Sequence, residues 1–302
     1  MSASFSSVAR CESMCSNRSV SNMKFNRTLL ILLTITTCLH LARSHAGSYS
    51  RDTLRINEKE FNSVAQNFRD LYCPLAASNA AKLRLDSNWE DDSHEAHAGK
   101  NGRDWFVYIA GGIARDRDAS LDSLTFTLCH EFGHEFAGYP FVNLPGNEWN
   151  TKEGETDYYA AFVCAKRIWK DDLEQNAKAS FAVDSFAKSK CDLAWSSINE
   201  RNLCYRIVSA GQRMINIEAR NALLPAPKFS TPERKKEVTI QCRLDSVLQG
   251  ATCTAPYIFS KIPGYLDPGG INSSGARSES VKTSCDRLNG FTIGLKPSCW
   301  WP

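Results

Sequence analysis

Apolar residues recur at helical spacing over residues 52–72, at Leu54, Ile56, Phe61, Val64, Phe68 and Leu71, which predicts an amphipathic helix that Pro74 ends. The period then changes. Residues 82–89 alternate, with Leu83, Leu85 and Trp89 toward one side, and predict a strand. Residues 104–113 are rich in aromatic and β-branched types and close on Gly111-Gly112, so a further strand should end where the backbone comes close to another segment. Ser120 can cap a helix running to about Ala137, with Gly138 as its C-cap and Pro140 blocking continuation. Asn150 or Thr151 opens the next helix, which carries Tyr158, Tyr159, Phe162 and Ile168, and further helices follow as far as Ala222. Pro225, Pro227 and Pro232 then mark a linker. From Val238 the chain is rich in Gly, Pro and Ser and reads as a loop-rich extension, stapled by disulfides and packed on the main domain. The fold class is α+β: a small twisted sheet over residues 82–113 with two helices against it, in a domain at 47–224, followed by an extension at 225–302.

The start of the chain is different. Met23-Lys24-Phe25-Asn26-Arg27 is basic and precedes the apolar run 28–41, and Ser44-His45-Ala46 presents small residues where a signal peptidase reads. Residues 1–46 therefore read as a leader with a signal peptide cleaved before Gly47, with Met1 or Met23 as the initiator. The apolar run is too short to span a bilayer comfortably, so no stable membrane span is expected after cleavage. Cys38 is a poor lipidation site because Thr37 before it is too large.

Twelve cysteines with no CxxC pair argue against a metal cluster and for disulfides, hence for an exported chain in the periplasm or outside the cell. Loss of residues 1–46 removes five basic residues (Arg10, Arg18, Lys24, Arg27, Arg43) and one acid (Glu12) from totals of 36 and 33, which leaves a net charge of −1. A nearly neutral body with no basic cluster gives no case for a nucleic-acid partner.

Candidate chemistry is concentrated at His130-Glu131-Phe132-Gly133-His134. Two histidines four apart on a helix stack their imidazoles on one face and can grip one ion. Glu131 lies about 100° around the same helix, within reach of a water at the metal without being a ligand. A catalytic zinc needs a third protein ligand and an open position, and residues 135–152, broken by Gly138, Pro140, Pro145 and Gly146, allow the chain to return. Glu153-Gly154-Glu155-Thr156-Asp157 then offers three carboxylates. Glu153 and Asp157 share a face, so one can bind the metal while the other accepts the free N–H of a liganding histidine, whereas Glu155 points away and is expected in solvent.

Over roughly residues 104–170 the sequence resembles the gluzincins, in which HExxH on one helix is completed by a glutamate in an ExxxD pattern on the next. Gly133 and the Gly111-Gly112 strand look most like the HExGH branch that includes the heat-shock membrane proteases, here in a soluble exported form. The resemblance implies a zincin-like fold, one Zn²⁺ held by His130, His134 and Glu153, Glu131 as general base, and Asp157 as the carboxylate behind a liganding histidine. It also implies that the strand near residues 108–112 pairs with extended substrate. The expected function is therefore that of a zinc metallopeptidase acting on peptide or protein substrates. An inactive exported protein that holds zinc for structure, and a zinc amidase acting on cell-wall peptides, are the alternatives.

Weaker signals have plainer readings. His94 and His97 fit a solvated turn between strands. Tyr139, Tyr158 and Tyr159, candidates for a proton donor opposite zinc, fit packing roles better. Trp300-Trp301 beside Cys299 should plug a groove in the core. Of the nine cysteines beyond residue 46, short loops favour Cys242–Cys253 and Cys285–Cys299, and the odd count leaves Cys129, in the middle of the ligand helix, as the unpaired thiol.

Overall fold

Asn57 opens the first helix, α1 (Glu58–Ser78), through a reciprocal cap in which its side chain accepts from the Glu60 N–H and the Glu60 carboxylate accepts from the Asn57 N–H. The computed structural model describes residues 56–181, 183–230 and 237–302. The expected leader with its cleavage site, both candidate start sites, Cys38 and Pro232 lie outside these residues. α1 runs through Pro74 instead of stopping before it, which corrects the expected end. A proline inside a helix costs about 3 kcal/mol, but Tyr72, Cys73, Leu75 and Ala76 around it are all buried, and burial of two large side chains alone offsets that cost.

Three strands form one mixed sheet: β1 (Lys82–Asn88), β2 (Ala96–Asn101) and β3 (Asp104–Ala110), in the order β1-β3-β2. β1 runs parallel to β3 with Leu83 beside Trp105, and β2 runs antiparallel to β3 with His97 beside Tyr108. Leu83, Leu85, Trp105, Val107 and Ile109 fill the buried face. β3 is paired on both sides, so it is not the strand that could take up an extended ligand; among the described strands β1 and β2 have a free edge. Gly111 and Gly112 begin a short helix, α2 (Gly111–Arg115), and the expected close approach is real. A β-carbon on Gly111 would meet the Trp89 carbonyl oxygen at 2.1 Å, and one on Gly112 the Ser93 carbonyl oxygen at 2.1 Å.

α3 (Leu121–Phe136) is capped by Ser120 and buried along its whole length from Ser123 onward. Gly138 follows with a positive φ of 84°, the left-handed turn that ends the helix. The next helix starts at Glu153 with Lys152 as its cap, one or two residues later than the expected Thr151 or Asn150, because residues 150–152 are extended and bonded back to 134–142. α4 (Glu153–Tyr159) passes through a π-helical turn (Ala160–Cys164) into α5 (Ala165–Trp169). α6 (Leu173–Ala179), α7 (Ser185–Ala194) and the long α8 (Ile198–Asn221) follow.

The C-terminal stretch is more helical than expected. α9 (Ile240–Thr252) is a buried helix packed against α4 and α8, followed by α10 (Ser274–Lys282) and a short 3₁₀ turn. The main core cluster runs from Ile56 to Trp300 without a break at residue 225. Disulfides join Cys129 to Cys164, Cys191 to Cys204, Cys242 to Cys299 and Cys253 to Cys285, and Cys73 is disulfide-bonded as well. Both expected tail bridges are thus replaced by a nested pair, Cys253–Cys285 inside Cys242–Cys299. Cys242 and Cys253 lie eleven residues apart on and just after one helix, about 16 Å along its axis, far beyond the ~7 Å that a disulfide spans. Cys129 is not the unpaired thiol either: it is bridged to Cys164, the last residue of the π-helical turn, and so ties α3 to the helix that continues α4. Among the described residues no helix is long and apolar enough to cross a membrane.

Candidate metal centre

His130 and His134 project from α3 with ring centroids 4.9 Å apart and planes nearly perpendicular. Both are buried, and each Nδ1 has a fixed acceptor. For His130 it is Asp157 Oδ1 at 2.8 Å, and for His134 it is Asn150 Oδ1 at 2.7 Å together with the Thr151 carbonyl at 3.0 Å. A proton held at Nδ1 leaves the Nε2 lone pair free to point at a metal. Glu153, the first residue of α4, meets both: Oε2 lies 3.2 Å from His130 Nε2 and Oε1 lies 3.6 Å from His134 Nε2. One ligand atom from each residue falls within 4.8 Å of the other two, so His130, His134 and Glu153 form a group that could hold a metal ion.

The approach of α4 to α3 depends on Gly133. A β-carbon there would stand 3.1 Å from both Cα and Cβ of Thr156, and Thr156 in turn sets its hydroxyl 3.0 Å from His130 Nδ1. The glycine in the middle of the motif is therefore where the two helices touch.

The group sits in a cleft of about 360 Å³, walled by α3 (Thr127, Glu131), α8 (Met214, Glu218), α9 (Arg243) and the edge of β2 (His97). Glu131 borders the cleft from the buried flank of α3. Burial pushes its pKa up to about 7, aided by Glu153 and Glu218 and opposed by His130 and Arg243. For His130, burial and Arg243 disfavour the charged ring, but Asp157 at one nitrogen and Glu153 at the other outweigh them and raise its pKa well above the usual value. His134 shifts down, by burial first and by the neighbouring His130 second. Burial alone would raise Glu153, but its hydrogen bond to His130 and the charges of His130 and Arg243 hold it well below the carboxylate range.

The sequence motif residues thus converge, while other expectations change. Glu155 is not in solvent: it is buried, and Lys296 from the C-terminal stretch donates to it at 2.9 Å. His94 is exposed in the loop between β1 and β2, as expected, whereas His97, also exposed, lies on β2, stacked 5.2 Å from the Tyr108 ring; both border the cleft. Tyr139, Tyr158 and Tyr159 are packing residues outside the cleft. Tyr158 donates to the Gly294 carbonyl at 2.8 Å, Tyr159 pairs with the Tyr72 hydroxyl at 3.1 Å, and Tyr139 stacks edge-on against Trp301. Trp300 fills the expected groove, donating to Ser246 Oγ at 2.7 Å and lying against Gly154, with Cys299 beside it bridged to Cys242.

Arg243 and Glu218 escape a reading by motif because they come from distant helices. One signal was present: on α9, Arg243 falls within the apolar stripe of Ile240, Leu244, Val247 and Ala251, where a charge must have buried partners. No protein-family model, curated protein or solved structure matches the chain.

Proposed function

We propose that this chain is an exported zinc-dependent metallopeptidase with a gluzincin-type ligand set on a zincin-like α+β frame. The observation that carries the reading is the convergence of His130 Nε2, His134 Nε2 and a Glu153 carboxylate, with a further buried glutamate, Glu131, on the same cleft and outside the ligand group. Two imidazoles and one carboxylate suit zinc, and the acceptors at both Nδ1 atoms are the supports that zinc-binding histidines use. A structural site needs four closed ligands and has no use for Glu131. The disulfides support an oxidising compartment.

When bound, zinc supplies Lewis acidity that brings the pKa of water toward neutrality. Glu131 takes the proton of the attacking water and returns it to the leaving amine. Its pKa, near 7 through burial and lowered by any nearby cation, keeps both transfers within reach at neutral pH. Asp157 and the Asn150–Thr151 pair hold the two imidazoles in the tautomer that presents Nε2. The free edge of β2 offers backbone groups to an extended peptide running along the cleft.

The test is cleavage of a denatured protein by the purified chain, with and without a chelator, followed by zinc add-back. Chelator-sensitive, zinc-restored cleavage is expected. Metal-dependent melting with no cleavage of protein would instead favour a zinc-binding protein, and release of cell-wall peptides alone would favour an amidase.

A further inference from the structure

Among the described residues of the C-terminal stretch, Arg243 is the one that lines the cleft. Its Nε donates to Asp157 Oδ2 at 2.8 Å and its Nη2 to Asp157 Oδ1 at 3.0 Å, a two-pronged grip on the carboxylate that accepts from His130. Its other edge holds Glu218, through Nη1 to Oε2 and Nη2 to Oε1 at 3.3 Å. Nη2 also lies within 3.4 Å of both His130 ring nitrogens and 3.6 Å from Glu153 Oε2. With Asp157 fully buried, neither of its oxygens has a solvent alternative.

We infer that Arg243 is a positioning residue of the metal centre, clamping Asp157 against Glu218 so that His130 keeps one orientation. This rests on the metal-binding reading of His130, His134 and Glu153. Glu153, Asp157 and Glu218 bring three negative charges to one small volume, and Arg243 with a divalent cation balances them. Neither could be buried there alone without leaving excess charge. Lysine would keep the charge but could not bridge two carboxylates along two edges. The clamp also makes α9 part of the apparatus that holds the metal, and the neighbouring Cys242–Cys299 bridge anchors the start of that helix. The metal centre is therefore completed by residues some ninety positions beyond Glu153.

The experiment compares full-length wild type with Arg243→Lys, Arg243→Met, Asp157→Asn and the Arg243→Met/Asp157→Asn double variant. Zinc affinity is read by competition with a chromophoric chelator, the cobalt-substituted absorption spectrum reports ligand geometry, and thermal unfolding checks that each variant is folded. Each single variant is expected to bind zinc about 10- to 100-fold more weakly with an altered cobalt spectrum. The double variant is expected to bind no more weakly than the worse single one, because both changes remove the same link. Arg243→Lys keeps the charge and guards against a folding failure of Arg243→Met. A folded Arg243→Lys or Arg243→Met that binds zinc within about threefold of wild type with an unchanged cobalt spectrum overturns the inference, as does a double variant whose losses multiply. Wild type that takes up no zinc would sink the reading of the site itself, which is a separate and recognisable result.

Discussion

Two regions build the cleft by different means. In the helix pair of α3 and α4–α5, the residues that meet the metal position are close in sequence and held by local rules: four-residue spacing, a capped start, a glycine contact and a disulfide between the helices. In the C-terminal region every contribution is long-range. Arg243 reaches Asp157, Lys296 reaches Glu155, Trp300 lies on Gly154, and Cys242–Cys299 fixes two of these side chains from behind. In the proposed function the first region carries the chemistry, and the second supplies charge balance and packing against the glutamate helix. Changes to the cleft-facing residues of the first should therefore abolish function with little loss of stability, whereas breaking the contacts that the second makes with the glutamate helix should cost stability, and at Arg243 metal affinity as well.

The largest effect separates these roles most cleanly. Glu131→Gln is expected to lower peptide hydrolysis by about 10³-fold or more while bound zinc, measured by metal analysis, stays at the wild-type level. Full cleavage activity in that variant would remove Glu131 from the mechanism. Next, Glu153→Ala should release zinc, while Glu155→Ala should retain it and lose about 3 kcal/mol of stability, because Lys296 is left buried without its partner. Chemical denaturation with metal analysis reads both variants, and zinc lost from Glu155→Ala but kept by Glu153→Ala would reverse the ligand assignment. Replacing Cys242 and Cys299 together by serine opens a loop of 57 residues and should cost about 4 kcal/mol in the chain-entropy model, with zinc affinity falling because Arg243 sits beside the bridge. An unchanged midpoint for unfolding would show that the C-terminal region is not braced in this way.

A smaller effect comes from pH. Asp157 and Glu153 raise the pKa of His130 well above normal, so a proton competes with the metal for its Nε2 up to and beyond neutrality. Metal binding must displace that proton, so apparent zinc affinity is expected to fall by up to about tenfold per unit as pH drops from about 8 to about 6. Competition titrations across that range check the slope, and an affinity independent of pH would mean that no proton is displaced from His130 on binding.

This contrast also explains what the sequence made legible. His130, Glu131, His134, Glu153 and Asp157 could be placed because helical spacing brings them to two faces, and Ser120, Gly138 and Gly111-Gly112 signalled their turns through backbone requirements. β2 was missed because Ala-His-Ala-Gly-Lys-Asn has no alternating apolar pattern and exists as a strand only through its pairing with β3. α9 was obscured by the Gly, Pro and Ser content of the residues after it, although its own stripe is apolar. The disulfide pairing failed because loop length was weighed without the helix that separates Cys242 from Cys253. Glu155 was assigned to solvent because helix geometry does not reveal that Lys296 closes over that face. In each case the missing information was a contact between segments far apart in the chain.

The smallest effect lies where the two regions press on one helix from opposite sides, at Thr156 and at Gly154. Gly154→Ala would place a β-carbon 2.0 Å from Trp300 Cδ1, on a rigid ring pinned by its neighbour Cys299, so the C-terminal segment must move at a cost of about 1–3 kcal/mol. Gly133→Ala meets Thr156 at 3.1 Å, a contact that a shift of a few tenths of an ångström relieves. Alanine also gains about 1 kcal/mol of helix propensity over glycine in the interior of α3. The two terms nearly cancel, so Gly133→Ala should leave the unfolding midpoint almost unchanged. The shift has a direction, though: it pushes Thr156, and with it Asp157 and Glu153, away from His130. Zinc affinity is then expected to fall by less than about tenfold while stability holds. Chemical denaturation and chelator competition on both glycine variants decide the matter. If Gly133→Ala loses stability as Gly154→Ala does, the contact between α3 and α4 is a packing constraint like that at Trp300. If it loses only metal, the glycine in the motif sets the distance between the ligand-bearing helices.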